Sequence, residues 1–261
     1  YSMTKPITGV ALMMLYEEGK FRLSDPIAWY MPELANLEVA LSTAGTGVIS
    51  DGTVSRGVGE TNEELLGKTR KPKRQPTIRD LLTHTAGFTY GIFGNTEVDQ
   101  LYRQSETIGI MDQRNLQQFV QDLGKLPLQY EPGAQWHYSV SVDVQGRLVE
   151  VLSGMSFGEF LRTRLFEPLD MKDTAFFVPS EKQSRLAQLY KPAGLTELNF
   201  MAPATGKGLE VADAYISAGV IAPPKFESGG AGLVSTARDY LRFAQMMLNG
   251  GELDGVRILS P

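Results

Sequence analysis

The sequence predicts a chain built mostly of helix and loop, on three observations. Apolar residues recur at helical spacing in several segments, most plainly at Ile7, Val10, Ala11, Met14 and Leu15. Gly45, Gly47, Gly52, Gly57 and Gly59 break the stretch from Glu38 to Pro76 into short β-branched pieces. From Leu169 to Pro224, turns mix with short extended pieces. No internal repeat or low-complexity segment is evident.

In chain order, the first helix is expected from Thr4 to Glu18, with Gly19 as its stop. Ser24-Asp25-Pro26 marks a turn or a helix start, and the chain continues to Leu37. Gly47-Val48-Ile49-Ser50 suggests a small hairpin turning at Asp51-Gly52. The basic run from Lys68 to Arg74 reads as solvated loop, because it contains Pro72 and the whole chain is acidic. Thr77 caps a short helix with Asp80 in its first turn, and Gly87 stands where a C-terminal cap belongs. Further helices are expected over Asn115 to Leu123, Val142 to Leu152, and Phe157 to Phe166. The last helix follows Ser235-Thr236 and runs to Leu248. Its apolar face is read as Tyr240, Leu241, Ala244, Met247 and Leu248, with Gly250-Gly251 as the stop.

Composition narrows the function. The 261 residues are 42% hydrophobic and 21% charged, enough for a sizeable core. A net charge of -5 gives no electrostatic reason to bind nucleic acid or an anionic membrane. Without cysteine there is no disulfide framework, thiolate nucleophile or cysteine metal site. His84 and His137 cannot supply a zinc site that needs three histidines, and neither lies in an H-E-x-x-H arrangement. No apolar run approaches the roughly 20 residues of a membrane span. The expectation is a soluble chain acting on a small molecule without metal or organic cofactor. A cytoplasmic location is favoured, with export open because a leader could precede Tyr1-Ser2.

Ser2-Met3-Thr4-Lys5 is a Ser-x-x-Lys sequence at the mouth of the first helix. A spacing of three puts both side chains on one face, roughly 5–6 Å apart at Cβ. The amine can take the serine proton once burial lowers its pKa, and the helix N-terminus favours the developing alkoxide. The spacing alone is a weak signal, since serine and lysine are both common. Tyr138, before the helix from Val142, adds a hydroxyl that can relay a proton when held against an ammonium, although a tyrosine more often packs in a core.

Ser2-Met3-Thr4-Lys5-Pro6-Ile7-Thr8 resembles the nucleophile motif of serine β-lactamases, penicillin-binding proteins and their esterase relatives. Leu81-Leu82-Thr83-His84-Thr85-Ala86-Gly87-Phe88, Glu131-Pro132-Gly133, Pro168-Leu169-Asp170-Met171 and Gly230-Ala231-Gly232-Leu233-Val234-Ser235-Thr236 resemble other signatures of that superfamily, in its order. Tyr138-Ser139-Val140 is similar to the family-VIII carboxylesterases, because β-lactamases usually carry asparagine where Val140 stands. The resemblance implies an α/β (α+β) fold, an antiparallel sheet flanked by helices plus a mainly helical domain. It makes residues 1–20 the nucleophile helix at the domain junction. Residues 21–225 would be the helical domain with loop insertions, and residues 226–261 would lead back to the α/β domain. The family's first strands and third-motif strand do not appear, so an interior piece of a longer protein is expected, inactive without that sheet. By the same resemblance Ser2 is the catalytic nucleophile, Lys5 and Tyr138 are the catalytic proton carriers, and the Ser2 N–H supplies half of the oxyanion hole. A small-molecule ester is the expected substrate. A β-lactamase or D-alanyl carboxypeptidase, a transacylase, and a non-catalytic binding relative stay open.

Gly154-Met155-Ser156-Phe157-Gly158 matches the G-x-S-x-G elbow, which requires a strand before the serine. The preceding segment has helical periodicity, so Ser156 is read as a capping-box residue with Glu159. His84 is read as a hydrogen-bonded structural residue, and His137 as no member of a triad. Phe88, Tyr90 and Phe93 are left between an acyl pocket and simple packing.

Overall fold

The computed structural model describes residues 1–41, 68–105, 113–194, 206–212 and 219–261. Helix α1 (Thr4–Glu17) follows the expected stripe, burying Ile7, Val10, Ala11, Leu12, Met14 and Leu15. Two 3-10 turns, Ile27–Trp29 and Pro32–Leu34, follow the Ser24-Asp25-Pro26 corner. The hairpin expected at Asp51-Gly52 lies outside the described residues. The basic run is not simply loop. Thr69–Arg70 forms strand β2, antiparallel to β1 (Val39–Ala40), while Arg70 pairs with Glu131 and Arg74 with Asp80. Arg74 meets both oxygens of Asp80, the forked geometry that makes such pairs directional.

Helix α2 (Ile78–Leu82) starts at the Thr77 cap in a full capping box with Asp80. Gly87 is not its C-terminal cap, as was expected. The helix closes at Thr83, and His84 takes up the left-handed backbone, with φ 55°. Helix α3 (Glu97–Gln104) was not anticipated, although Thr96 and Asp99 spell out its capping box. Helices α4 (Leu116–Leu123), α5 (Ser141–Ser153) and α6 (Phe157–Leu161) lie where the periodicity put them. Gly154 ends α5 with φ 73°, a conformation that costs a side-chain-bearing residue more. A π-helical turn over Arg162–Phe166 extends α6.

Helix α7 (Ala237–Leu248) begins at its Thr236 cap, but its inner face is not the expected one. Asp239, Phe243 and Met246 are buried, whereas Leu241 and Leu248 are 66% and 80% exposed. The helix is apolar on two sides, so periodicity alone does not choose between them. Asp239 decides it by accepting from the Asp173 N–H at 2.7 Å and the Thr174 hydroxyl at 2.9 Å. A 3-10 turn over Ser180–Arg185 and two further antiparallel pairs, β3 (Tyr190–Pro192) with β4 (Leu209–Val211) and β5 (Glu252–Leu253) with β6 (Val256–Arg257), complete the described elements.

Helix α5 packs against α1, α2, α4 and α6. Its Val144, Leu148 and Val149 join Ile7 and Leu12 of α1, Leu81 of α2, Phe119 of α4 and Phe157 and Phe160 of α6 in one apolar cluster. Each such side chain contributes about 1.5–3 kcal/mol when buried. That packing sets the mouth of α1 beside the start of α5. Among the described residues no helix is long and apolar enough to cross a membrane.

Candidate active site

Helix α1 starts at Thr4, so Ser2 occupies the turn just before it rather than the helix proper. The Thr4 N–H donates to the Tyr1 carbonyl at 2.8 Å and the Lys5 N–H to the Ser2 carbonyl at 3.2 Å. This winding carries the helical geometry back through Ser2, and Lys5 Nζ reaches Ser2 Oγ at 3.4 Å. The hydroxyl of Tyr138 lies 2.6 Å from the same Ser2 oxygen. Lys5 Nζ also stands 4.6 Å from the centre of the Tyr138 ring.

His84 holds Tyr138 in place from both sides. Its carbonyl accepts from the His137 N–H at 2.8 Å, and its Nδ1 accepts from the Ser139 N–H at 3.3 Å. Its left-handed backbone turns both acceptors toward the strand-like segment that carries the tyrosine. Burial, then Lys5 and His137, push the His84 imidazole down to about 4, so at neutral pH it is uncharged and free to accept there. The rings of His84, Tyr90, Phe93 and Trp136 surround that of Tyr138 at 5.1, 5.2, 5.7 and 6.2 Å. Phe88, by contrast, is wholly in the core.

Behind Lys5 runs the loop before α7. Lys5 donates to the Gly230 carbonyl at 2.7 Å, and Thr8 donates to the Gly229 carbonyl at 2.8 Å. The Leu233 N–H donates to Thr4 Oγ1 at 3.2 Å, and the Tyr240 hydroxyl donates to the Met3 carbonyl at 3.0 Å. Thr4, Lys5 and Thr8 thus present one face of the first turns of α1 to this loop. Burial pushes the Tyr90 hydroxyl far above its usual range, with the Asp143 and Tyr138 charges adding.

Neither histidine touches Ser2. Thr89 donates to Asp99 at 2.6 Å, so His137 Nε2, 3.2 Å from the Thr89 oxygen, is the donor there. Ser156 caps α6, accepting from the Glu159 N–H at 3.2 Å, but the capping box is only half formed. The Glu159 carboxylate turns instead to Arg162, where a guanidinium offers charge-assisted bonds. A cavity of about 620 Å³ opens beside Ser156 and is lined by Arg162, Phe166, Phe176 and Glu227. It shares no residue with the Ser2 cluster. Among the described residues no lysine, tyrosine or histidine bonds the Ser156 hydroxyl, so this cavity lacks an activated nucleophile.

Sequence reasoning missed Asp143, Ser228 and Gly230. The signals were present but faint: a carboxylate between Val142 and Val144 on a buried helix face, and the run Gly229-Gly230-Ala231-Gly232.

A family model described as Beta-lactamase matches residues 1–260. Protein Rv1367c of Mycobacterium tuberculosis is 33% identical over 262 residues, covering 100% of this chain and 56% of that protein. Esterase EstB of Burkholderia gladioli is 28% identical over 249 residues, covering 92% of this chain and 54% of its own length. The solved structure of EstCE1, a hydrolase with promiscuous acyltransferase activity, matches with a TM-score of 0.69 at 23% identity. That match covers 98% of this chain and 59% of EstCE1, and it speaks for the fold alone. The chain spans little more than half the length of these relatives. With the match extending over nearly every residue, this chain belongs to the beta-lactamase family.

Proposed function

We propose that the chain carries the nucleophile of a serine carboxylesterase of the family-VIII type, acting on short-chain acyl esters. The observation that carries this reading is the single oxygen of Ser2, 2.6 Å from the Tyr138 hydroxyl and 3.4 Å from Lys5 Nζ. Ser2 Oγ attacks the ester carbonyl while its proton passes to the Tyr138–Lys5 pair. Both groups face the Ser2 oxygen, so either can take the proton directly. The Ser2 N–H holds the tetrahedral oxyanion, the acyl–oxygen bond breaks, and the alcohol leaves with the proton. Water then attacks the acyl-enzyme, giving its proton to the same pair, and Ser2 is regenerated.

Val140 favours ester over lactam. It stands two residues after Tyr138, is 2% exposed, and offers no side-chain amide to a lactam's acylamino group. The esterase relative EstB supports the same choice, and transacylation differs only in the nucleophile that replaces water. The test uses the full chain with a p-nitrophenyl short-chain ester and a chromogenic cephalosporin. Turnover of the ester well above the cephalosporin, lost by about a thousandfold or more in Ser2→Ala, is expected. Equal ester turnover in Ser2→Ala contradicts the reading.

A further inference from the structure

Asp143 lies in the first turn of α5, between two valines, and is 4% exposed. A carboxylate withdrawn from water to that degree persists only where donors replace its hydration. Here the donors come from one loop. Oδ1 accepts from the Ser228 hydroxyl at 2.6 Å and from the Gly230 N–H at 3.0 Å. Ser228 Oγ in turn accepts from the Ala231 N–H at 3.1 Å, so the carboxyl group holds the 228–231 turn at Ser228 and Gly230 directly and at Ala231 through Ser228.

The fit leaves no play. A Cβ on Gly230 would come within 2.8 Å of Asp143 Oδ2 and 2.7 Å of the Tyr90 hydroxyl, and a Cβ on Gly229 within 2.5 Å of the Val142 carbonyl. The peptide unit whose N–H Asp143 takes adjoins the carbonyl that accepts from Lys5 at 2.7 Å. Asp143 therefore touches neither Ser2 nor Tyr138, yet it governs where the ammonium between them can sit.

We propose that Asp143 is a positioning residue for the reaction, clamping the 228–231 loop so that the Gly230 carbonyl fixes Lys5 beside Ser2. This rests on the esterase reading for its consequence, although the clamp itself does not. Burial pushes the Asp143 carboxyl up, while Ser228, Gly230 and Lys5 pull it back. Among the described residues the titratable groups that share the field of Lys5 are Asp143, His84, Tyr90 and Tyr138. Freeing the Gly230 peptide frees the acceptor of Lys5 with it, so the loss falls on kcat rather than on KM.

The variants are Asp143→Asn, which keeps an acceptor oxygen but not the charge, and Asp143→Ala, which loses both. In the full chain, Asp143→Asn is expected to reduce kcat only a few-fold with KM little changed, because its side-chain oxygen still accepts from the Gly230 N–H. Labelling of Ser2 by a fluorophosphonate should slow in Asp143→Ala and much less in Asp143→Asn, a readout independent of ester turnover. Asp143→Ala should lose far more kcat than Asp143→Asn. A kcat and a labelling rate both unchanged in the folded fraction of Asp143→Ala, even with lowered thermal stability, mean that Asp143 only holds the fold and overturn the proposal. Slowed labelling of Ser2 in Asp143→Ala, where the wild type takes the label but turns over no ester, leaves the clamp standing and sinks the esterase reading instead.

Discussion

The hydroxyl of Tyr138 meets the Ser2 oxygen at 2.6 Å across 136 positions of chain, and His84 accepts from the backbone on either side of that tyrosine. Helix packing brings α1 and α5 together, but it does not aim a phenol. The two acceptors of His84, one on the backbone and one on the ring, fix the residues on either side of Tyr138 and thereby its direction.

Tyr138→Phe removes the hydroxyl while keeping a ring that still packs against Tyr90, Phe93 and Trp136. Ester turnover should fall by about 10²–10⁴-fold in kcat, the span usual for a lost proton carrier. KM and the melting temperature should change little. A Phe variant with near-normal kcat removes Tyr138 from the proposed mechanism.

His84→Asn tests the bracket through pH. Asparagine tolerates the left-handed backbone at this position better than most residues. In the wild type the folded imidazole titrates near 4 and the unfolded one near 6.5, so the fold binds fewer protons between those values. Its contribution is therefore fully present above about pH 6.5 and is lost as pH falls through about 4. Melting curves from pH 4 to 8 should show the wild type losing more stability than His84→Asn across that window, and no difference in slope above it. Parallel curves throughout contradict the buried, neutral histidine.

Ser156→Ala should leave esterase activity intact and cost about 1 kcal/mol of stability, through the lost cap on the Glu159 N–H. Chemical denaturation measures the second quantity. A folded but inactive variant would transfer the nucleophile to the G-x-S-x-G site.

Gly230→Ala should be among the most damaging single-methyl changes near the site. Its added carbon meets the Asp143 carboxylate and the Tyr90 hydroxyl inside 3.0 Å, an overpacking that costs about 1–3 kcal/mol. Relief by loop movement would carry away the Lys5 acceptor, so kcat should fall even in the folded fraction. Active-site titration separates the two effects.

The features legible in the sequence are those whose cause is local. Thr77 with Asp80 and Asn115 with Gln118 close their capping boxes within four residues, and Gly154 ends a helix by its own backbone freedom. The Ser2–Lys5 approach is local as well, since one helical turn determines it. Tyr138 was legible as a hydroxyl able to relay a proton, but its pairing with Ser2 came from the order of resembling motifs, because nothing near it announces a partner so far upstream. The inner face of α7 was misread because Asp239 finds its donors at Asp173 and Thr174, out of sight of any helical periodicity. Asp143 was passed over for the same reason, its partner Ser228 lying 85 positions away.

A fluorophosphonate probe applied to the full chain, followed by intact mass and peptide mapping, tests the central claim most directly. One covalent adduct on Ser2 is predicted, absent in Ser2→Ala and formed at least about tenfold more slowly in Tyr138→Phe. An adduct on Ser156 or any other serine, or an active esterase that takes up no label at Ser2, would contradict it.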